Sequence, residues 1–461
     1  MAAKQPYLIG LDLGTSSVKG VLLNAGGDIV SVQTRENIYD RSGGDGFVEF
    51  SAEEFFSRVC ETIRLLSRDL PGGHSVQALS VASASGNTLL LDSTMQPMRP
   101  VISWLDERTR KSGEDILPGL DKQGIHPVVG WPWVNAFPPA HLGWLKKNES
   151  HVYKNTAYIT MSTAYLYWKF CERFCMDHSI ATTFYLQDQV RRCWHPPFLN
   201  ELEIRPDQLP ELLPTGTTIG CLSQAAARKT RLSQTTRVVL GAFDHPCAAR
   251  GTGTLEPGRF MLSCGTSWVG FFPVTDRYEA VRRALLVDPF LSPNGHWGAL
   301  FSIPRIGIII DGLIDRIATA HNSTDDKYST FNTLAAEAEP GSGGLEIALP
   351  NSSDGIDGYF SEVIKSHTLP NIARAIMECI ARMLKEKLAE AGAPSSDIIM
   401  VGGPSNSRLW VDIISETLNA TISVSSGRHA GAVGAGLLAG IGTGIYRNES
   451  DAFRHFTRRE K

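Results

Sequence analysis

The most restrictive feature of this chain is the tripeptide Gly-Thr-Ser, which occurs twice in matching surroundings. The first copy lies in LDLGTSSV with its glycine at Gly14, and the second lies in LSCGTSWV with its glycine at Gly265. An apolar run precedes each copy and another follows it, so each copy predicts a strand, a tight turn and a second strand. The repeat indicates a duplicated chain in which each half contributes one loop.

Both loops have the composition of anion-binding turns. Glycine lets the backbone come close to a bound group, and the following hydroxyls and amides donate hydrogen bonds. We therefore expect the two loops to hold the phosphates of ATP, through residues Gly14, Thr15, Ser16, Gly265 and Thr266. The alternative is that both are ordinary hairpin turns. No G-x-x-x-x-G-K-[ST] sequence is present, which excludes a Walker-type nucleotide site.

Composition limits the classes of function. The chain has 461 residues, 42% of them hydrophobic and 20% charged, with a net charge of −4. This length predicts two or more domains, and the mild acidity disfavours nucleic acid and anionic membrane surfaces as partners. The N-terminal residues enter a strand at once, so no signal peptide is expected. The 8 cysteines form no C-x-x-C pair, which favours a reducing, cytoplasmic setting.

Strand and helix patterns alternate in both halves, which predicts an α/β duplication with its site in a cleft between the halves. A strand is expected at Tyr7–Leu13, a helix capped by Ser51, and a long amphipathic helix that begins near Leu369 and stops at Gly392. The predicted domains are residues 1–243 and 244–447. A polar tail, 448–461, is expected to be a frayed helix.

Four features in a fixed order resemble those of the FGGY carbohydrate kinases, a family related to actin and the heat-shock chaperone ATPases. They are the Gly14 loop, Asp244 at a strand end, the Gly265 loop and the strand that ends in Gly402-Gly403. The segments AFPPAHLGWLKKN and GYFSEVIKSHTLPNIARAIME resemble the two family signatures, and VGGPSNSRLW resembles the adenosine motif. The resemblance spans nearly the whole chain and implies duplicated ribonuclease H-like (actin-like ATPase) domains facing a central cleft.

Phosphoryl transfer to a sugar hydroxyl needs a base, a metal ion and donors for the migrating group. The resemblance places the catalytic base, with a share in the metal site, at Asp244, which follows the strand VVLGAF. The residues alone equally allow Asp244 to cap a helix that begins at His245-Pro246. Asp12 is the expected carboxylate for Mg²⁺, held through water, because a carboxylate that ends an apolar strand costs free energy unless it binds something. A hydrogen-bonded turn residue is the alternative for Asp12.

Other residues are assigned to the nucleotide. Lys19 is expected to face the β- and γ-phosphates, with a solvated surface lysine as the alternative. Gly402 and Gly403 are expected to let the adenosine lie against the backbone, while the amide of Asn406 contacts the base or ribose. The same Gly-Gly-Pro-Ser sequence is equally compatible with an ordinary strand-to-helix turn.

The sugar side departs from the family pattern. Xylulokinase-like members carry Gln-Met-His-Gly where this chain has Ala84-Ser85-Gly86-Asn87, which argues against D-xylulose. Asn87 is expected to donate to a sugar hydroxyl or to end a turn. Asp106 either shapes the sugar pocket or pairs with Arg108, and His245 either contacts the sugar or tunes Asp244.

The resemblance therefore implies an ATP-dependent kinase for a small ketose or polyol, with ATP and Mg²⁺ as cofactors. A sugar acid or a signalling furanone is an alternative acceptor. A nucleotide-binding switch on the same fold is an alternative of a different class, although Asp244 favours the enzyme. The expected partners are a sugar and ATP, with neither nucleic acid nor membrane, and a homodimer is one permitted assembly.

Overall fold

The computed structural model describes residues 5–84, 86–322, 324–349, 360, 362–424 and 429–457. They fall into two compact units. Unit 1 comprises Met1–Leu255, Leu286–Trp297 and His429–Lys461, and unit 2 comprises Glu256–Leu285 and Gly298–Arg428. The units group residues by packing and not by order in the chain, so the segment after Asp244 and the C-terminal tail both belong to unit 1. The domain limits at 243 and 447 stay a prediction.

A mixed sheet of seven strands forms the core of unit 1. Three antiparallel strands make a meander, a parallel strand pairs with the first of them, two short parallel strands pair with that one, and one antiparallel strand closes the edge. In chain order the strands are Tyr7–Leu13, Ser17–Asn24, Ile29–Glu36, Val76–Ser83, Thr218–Cys221, Arg237–Val239 and Ala242–Phe243. The predicted first strand and hairpin are confirmed.

Helices cover both faces of this sheet, which explains why its first strand is apolar at nearly every position. The helix Ala52–Leu66 begins at Ser51, whose side chain accepts the Glu54 amide as predicted. On the opposite face, the helix Ala430–Gly442 packs so closely that a Cβ on Gly10 would lie 1.8 Å from the Ala432 carbonyl oxygen. Its run of small residues permits this approach and fixes the helix against the first strand.

Unit 2 repeats this arrangement. The strand Arg259–Cys264 pairs antiparallel with Trp268–Val274 and parallel with Asp397–Gly402, which pairs in parallel with Thr421–Val424. Trp297–Ile303 lies beside Trp268–Val274. Each Gly-Thr-Ser copy therefore joins the first two strands of one sheet, which confirms the predicted strand–turn–strand pattern and the two-domain α/β fold.

Further elements complete the two units. Short strands outside these sheets are Glu49–Phe50, Leu89–Leu91, Val101–Ile102, Tyr158–Thr160, Cys175–Asp177, Gln187–Asp188, Cys193–Trp194 and Glu211–Leu213, and Leu286–Asp288 is a further short strand. Further helices of unit 1 are Arg108–Lys111, Ile125–Val129, Pro138–Asn148, Ser150–Lys154, Ser162–Cys171, His178–Phe184, Pro196–Leu202, Gln224–Thr230, Asp244–Thr252 and Glu449–Thr457. Those of unit 2 are Arg277–Arg282, Ile306–Ala320, Lys327–Glu337, Leu369–Ala391 and Arg408–Leu418. Within the described part of the chain, no helix is long and apolar enough to cross a membrane.

The C-terminal helix Glu449–Thr457 packs onto unit 1, so the expectation of a frayed tail was wrong for these residues. Ala452 and Phe456 are buried in a cluster with residues of the first two strands. A Cβ on Gly253 would lie 2.2 Å from the ring of Phe453, which shows how closely the helix approaches. The apolar residues of the tail lie on one helical face, and that face attaches it.

Replacing Phe456 by alanine should lower the free energy of unfolding by about 2–3 kcal/mol, because the ring leaves a cavity beside the sheet. Ser450→Ala is the matched control, since Ser450 is exposed on the same helix. Urea unfolding of both variants checks the expectation. Equal midpoints for the two would show that the helix contributes nothing to the stability of the unit.

Candidate active site

Three neighbouring strands of unit 1 end side by side. Leu13 lies opposite Ser83, and Ser83 lies opposite Phe243, in parallel register. The next residues, among them Gly14 and Asp244, therefore leave the sheet at the same edge. Ligands of open α/β sheets bind at the carboxyl ends of the strands. This edge is the candidate active site of unit 1.

Two carboxylates come together at this edge. The pKa of Asp12 is raised to about 6, first by burial and then by the negative charge of Asp244, while the Lys19 charge opposes the shift. Burial likewise raises the pKa of Asp244, against the opposing effects of the His245 charge and amide. A Cβ on Gly431 would lie 3.1 Å from the Asp12 carboxylate, so this glycine leaves the carboxylate its space. The structure therefore brings together the two residues expected at the metal ion.

Lys19 belongs to the same group of charges. It lies directly opposite Asp12 in the antiparallel pair, and directly opposite residues present their side chains on the same face of a sheet. Its charge acts on the Asp12 carboxyl. Lys19 is therefore placed at the site and not on a remote solvated surface.

Asp244 directly follows a strand and is the first residue of a helix. The helix Asp244–Thr252 begins at this residue, and the Oδ1 atom of Asp244 accepts the His245 amide at 2.7 Å. The Nε2 atom of His245 lies 3.8 Å from the same oxygen. The N-cap position of this helix is Phe243 and it has no side-chain cap hydrogen bond, so Asp244 is the first helical residue and not the cap.

Hydrogen bonds to the carbonyl groups of the first Gly-Thr-Ser loop hold this loop from one side. Asn37 donates its side-chain amide to the carbonyls of Gly14 and Thr15 at 2.8 and 3.0 Å, and Tyr39 donates to Thr15 at 2.7 Å. The backbone amide of Asn37 donates to the Ser16 carbonyl. In a planar trans peptide the N–H points opposite to the C=O. The amides that follow these carbonyls, at positions 15 to 17, are therefore turned away from Asn37, as an anion-binding loop requires.

An aromatic wall stands next to Asp244. The Trp131 ring contacts Tyr185 and Phe243 edge to face, and Phe137 stacks on Tyr185 with 4.9 Å between the ring centres. The His245 ring extends this wall through an edge contact with Phe243. Trp131, Tyr185 and Phe243 are buried, whereas Phe137 and His245 are partly exposed, so the wall is dry aromatic packing beside Asp244.

Trp104 lies between the Gly14 loop and Gly86, which belongs to the segment that replaces Gln-Met-His-Gly. It is 38% exposed, and its indole donates to the Thr15 hydroxyl at 3.1 Å. A Cβ on Gly86, whose φ is +88°, would lie 2.7 Å from the Phe137 ring and 3.4 Å from Trp104. Gly86 therefore permits the segment to pass between these rings. Ser85 lies outside the described residues.

Two other residues considered for the sugar, Asn87 and Asp106, form hydrogen bonds within the protein. Asn87 is buried and exchanges two hydrogen bonds with Ser162, at 2.8 and 3.1 Å. Asp106 has no exposed surface, and its two oxygens accept from Arg108 and from the Val48 amide. The pairing of Asp106 with Arg108, one of the two alternatives, is therefore confirmed.

Unit 2 contains a separate pocket of about 540 Å³. It brings together four residues predicted from the sequence: Gly265, Thr266, Gly403 and Asn406. Its remaining lining is mainly apolar and aromatic, from Cys264, Trp268, Gly307, Ile308, Ile310, Asp311, Ile314, Tyr328, Phe331, Asn332, Pro404, Ser407 and Trp410. Flat apolar walls with a few polar groups suit a nucleoside.

The glycines of this pocket differ in what they require. A Cβ on Gly403 would meet nothing within 4 Å, and one on Gly265 would meet only the Ser267 carbonyl, at 3.7 Å. Gly402 has a φ of +105°, and its Cβ would lie 2.3 Å from the Cys264 carbonyl oxygen. Strand packing therefore demands glycine at 402, whereas Gly265 and Gly403 face open space that a ligand can use.

The pocket has one carboxylate that the sequence reasoning missed. Asp311 accepts from Tyr328 at 2.6 Å and pairs with Lys327 at 3.0 Å. Burial raises the pKa of Asp311, but these two hydrogen bonds outweigh burial and hold it below the usual value. A lone carboxylate after the apolar run Ile306–Ile310 was the available signal in the sequence. Asn406 is engaged too, donating its side-chain amide to the Gly403 carbonyl.

The described residues contain no cluster of three or more His, Cys, Asp or Glu side chains that would enclose a metal ion. The half-buried pair Asp12 and Asp244 supplies carboxylate oxygens only. Mg²⁺ is usually bound by one or two carboxylates, with water and substrate phosphates completing its shell. The donor set at the sheet edge therefore fits Mg²⁺ brought in with a polyphosphate.

Comparison with known proteins decides the family. The N-terminal domain model of the FGGY family of carbohydrate kinases matches residues 7–251, and the C-terminal domain model matches residues 260–443. This chain belongs to the FGGY family of carbohydrate kinases. It is accordingly an ATP-dependent sugar kinase.

Relatives of this FGGY kinase differ in their named substrates. A xylulose kinase from Bacillus subtilis is 24% identical over 473 residues, covering 98% of this chain and 91% of that protein. A gluconokinase from the same organism is 23% identical over 456 residues, covering 95% and 88%. The crystal structure of a xylulose kinase from Rhodospirillum rubrum matches with a TM-score of 0.83 and 21% identity, covering 97% and 92%. At this identity the structural match establishes the fold.

The open space at Gly265 gives a direct test of the second loop. Gly265→Val should fold normally, but it should raise the dissociation constant of ATP at least about tenfold, roughly 1.4 kcal/mol, because its branched side chain enters the space of the phosphates. Gly72→Val is the control, since a Cβ on Gly72 meets nothing within 4 Å. Calorimetric titration measures both. Unchanged ATP affinity in Gly265→Val would remove this loop from the nucleotide site.

Proposed function

We propose that this FGGY kinase transfers the γ-phosphoryl group of Mg-ATP to a hydroxyl of a small ketose or polyol, with Asp244 as the general base. The observation that supports this most strongly is the position of Asp244. Its carboxylate lies at the sheet edge that also carries the Gly14 loop, acts on Asp12 and borders the aromatic wall.

The base must be oriented and sufficiently basic. The His245 amide holds the Oδ1 atom of Asp244, so Oδ2 is the oxygen assigned to the substrate proton. Burial raises the pKa of Asp244 above that of an ordinary aspartate, which favours proton transfer from the attacking hydroxyl. As the hydroxyl oxygen bonds to phosphorus, its proton passes to this carboxylate and ADP leaves.

The phosphates are held by the two loops. The amides at positions 15 to 17 face away from Asn37 and donate to phosphate oxygens, and Lys19 adds a positive charge. Gly265 and Thr266 serve the phosphates from unit 2, while Gly403 and Asn406 contact the nucleoside in the 540 Å³ pocket. Donors fixed before the reaction stabilise the charge of the transferring group.

Asp12 and Asp244 would hold Mg²⁺, Asp12 through water. The ion supplies positive charge that neutralises the triphosphate. In the protein itself, Gly431 keeps the space around Asp12 open and Lys19 limits the repulsion between the two carboxylates.

A sugar acid is the second candidate substrate. His245 lies beside Asp244 and faces the same wall, so its imidazole offers a partner for a substrate carboxylate. The gluconokinase relative supports this candidate. A signalling furanone also remains an alternative, and a non-catalytic nucleotide switch would bind ATP without phosphorylating any acceptor.

The test is a screen of coupled ADP release with D-xylulose, D-ribulose, xylitol, glycerol and D-gluconate. D-xylulose should be a poor substrate, with kcat/KM below about 10⁴ M⁻¹s⁻¹, because Ala84–Asn87 replaces the Gln-Met-His-Gly segment of xylulokinase-like enzymes. Loss of a buried polar contact changes discrimination by orders of magnitude. If D-xylulose ranks first above that value, the assignment of the sugar pocket is wrong. ATP binding without turnover of any acceptor would instead favour the switch.

A further inference from the structure

The backbone amide immediately before Asp244 is held by two buried side chains. The Phe243 N–H donates to the Ser179 hydroxyl at 3.1 Å, and this hydroxyl donates to Asp288 Oδ2 at 2.6 Å. A backbone N–H can only donate, so the Ser179 oxygen must accept from it and direct its own hydrogen to Asp288. The direction of both hydrogen bonds is therefore fixed.

Asp288 is itself fully engaged. Its Oδ1 atom accepts the Phe290 amide at 2.7 Å. Asp288 is 0% exposed and Ser179 is 1% exposed, so water cannot replace either partner. A buried carboxylate is costly unless its hydrogen bonds are satisfied. Here both oxygens of Asp288 accept a hydrogen bond, Oδ2 from the Ser179 hydroxyl and Oδ1 from the Phe290 amide.

The two hydrogen bonds from the Phe243 N–H to Ser179 and from Ser179 to Asp288 form a relay. Its position matters because Asp244 directly follows Phe243. The strand Ala242–Phe243 pairs with Val76–Ser83 on one side. On the side away from that pairing, the Ser179 hydroxyl accepts the Phe243 N–H where a further strand would, and it fixes the Ala242–Phe243 peptide. Fixing this peptide, one residue before Asp244, limits how far the backbone that carries the Asp244 carboxylate can shift.

The segment that carries Asp288 also holds the helix that begins at Asp244. Arg250, on this helix, donates to the Phe290 carbonyl at 3.0 Å, and its guanidinium lies 4.6 Å from the centre of the Phe290 ring. Residues 286–297 thus hold the start of the helix through Ser179 and its last turn through Arg250. These two attachments, at Phe243 before Asp244 and at Arg250 after it in the chain, restrict the movement of Asp244.

We propose that Asp288, acting through Ser179, is a positioning residue for Asp244. This inference rests on the proposed function of Asp244 as the base. It predicts that removing the relay lowers the rate of phosphoryl transfer while ATP binding is retained. A misplacement of about 1 Å at a catalytic group can reduce a rate by about 10²-fold.

The experiment compares Ser179→Ala and Asp288→Asn with Thr236→Val. The control removes a hydroxyl that is equally buried in unit 1 and that donates to the Val76 carbonyl at 2.9 Å. Ser179→Ala and Asp288→Asn should lower kcat at least about tenfold with the best acceptor of the panel, and change the dissociation constant of ATP less than twofold. Thr236→Val should leave both quantities unchanged, although its unfolding midpoint falls by a similar amount.

A second measurement does not depend on turnover or on a known sugar. Hydrogen exchange in the peptide that covers residues 242–246 should accelerate at least about tenfold in Ser179→Ala, as expected when a local hydrogen bond is lost, and remain unchanged in Thr236→Val. Equal kcat and equal hydrogen exchange in Ser179→Ala and Thr236→Val would overturn the proposal. An active Asp244→Asn enzyme would refute the base itself, whereas an inactive Asp244→Asn beside a fully active Ser179→Ala would refute only the relay.

Discussion

Replacing Asp244 by asparagine should reduce kcat for sugar phosphorylation by about 10²–10⁴-fold, the usual contribution of a general base. Asparagine keeps the size of the side chain and its carbonyl oxygen can still accept the His245 amide, so the helix start is retained. The lost function is acceptance of the substrate proton. Coupled ADP release measures the rate, and calorimetry should find the ATP affinity within a few fold of wild type.

Asp207→Asn is the matched control, because the Asp207 side chain is 73% exposed and pairs with Arg205, two residues before it. It should be fully active. An Asp244→Asn enzyme that keeps more than about a tenth of the wild-type turnover would fall outside the range for loss of a base. The assignment of Asp244 would then have to be abandoned.

Asp12→Asn should have two opposite effects. It should lower kcat by about 10²-fold or more, because one carboxylate for the metal ion is lost where charge on the triphosphate must be neutralised. It should also stabilise the ligand-free protein at neutral pH, by on the order of 1–2 kcal/mol after allowance for the partial exposure of the side chain. The stability gain arises because the variant no longer buries a charge beside Asp244.

The pH dependence separates this effect from a general change in packing. The folded pKa of Asp12 is raised from 3.8 to about 6, so the folded protein binds the proton more tightly than the unfolded chain. The destabilisation by Asp12 is therefore absent below about pH 4, develops between 4 and 6, and is complete above 6. Urea unfolding with a chelator present should show Asp12→Asn more stable than wild type at pH 7.5 and equal to it near pH 4. Equal stability at pH 7.5 would contradict the buried carboxylate pair.

Much of the fold follows from short-range patterns in the sequence. The two Gly-Thr-Ser copies predict two strand–turn–strand units because apolar runs flank both, and these units begin both sheets. Gly392 ends its helix with a φ of +61°, as its position after an amphipathic stretch predicts. The tail was misjudged, since its composition is polar while its few apolar residues share one face.

The residues that complete the site were less accessible to sequence reasoning. Asp12 and Asp244 are far apart in the chain, and only the parallel register of three strands brings them to one edge. Asn37 and Tyr39 orient the Gly14 loop, but nothing in their local sequence distinguishes them from other loop residues.

Asp106 shows both the reach and the limit of local sequence. Its pairing with Arg108 is one of the two alternatives that the sequence offers, whereas the Val48 amide, which also donates to it, lies on a segment whose approach the sequence does not reveal. Ser179 and Asp288 have the same property. Their significance depends on a hydrogen bond between residues more than a hundred positions apart.

The most direct test of the account is to follow the γ-phosphoryl group itself. Wild-type enzyme is incubated with Mg-ATP, labelled with ¹⁸O in the γ-phosphoryl group, and with each acceptor of the panel, and the products are weighed by mass spectrometry. The account predicts a sugar phosphate that carries the labelled phosphoryl group, formed in equal amount to ADP, and its loss in Asp244→Asn. Labelled inorganic phosphate or unchanged ATP with every acceptor, from a protein that binds ATP, would contradict phosphoryl transfer to a sugar.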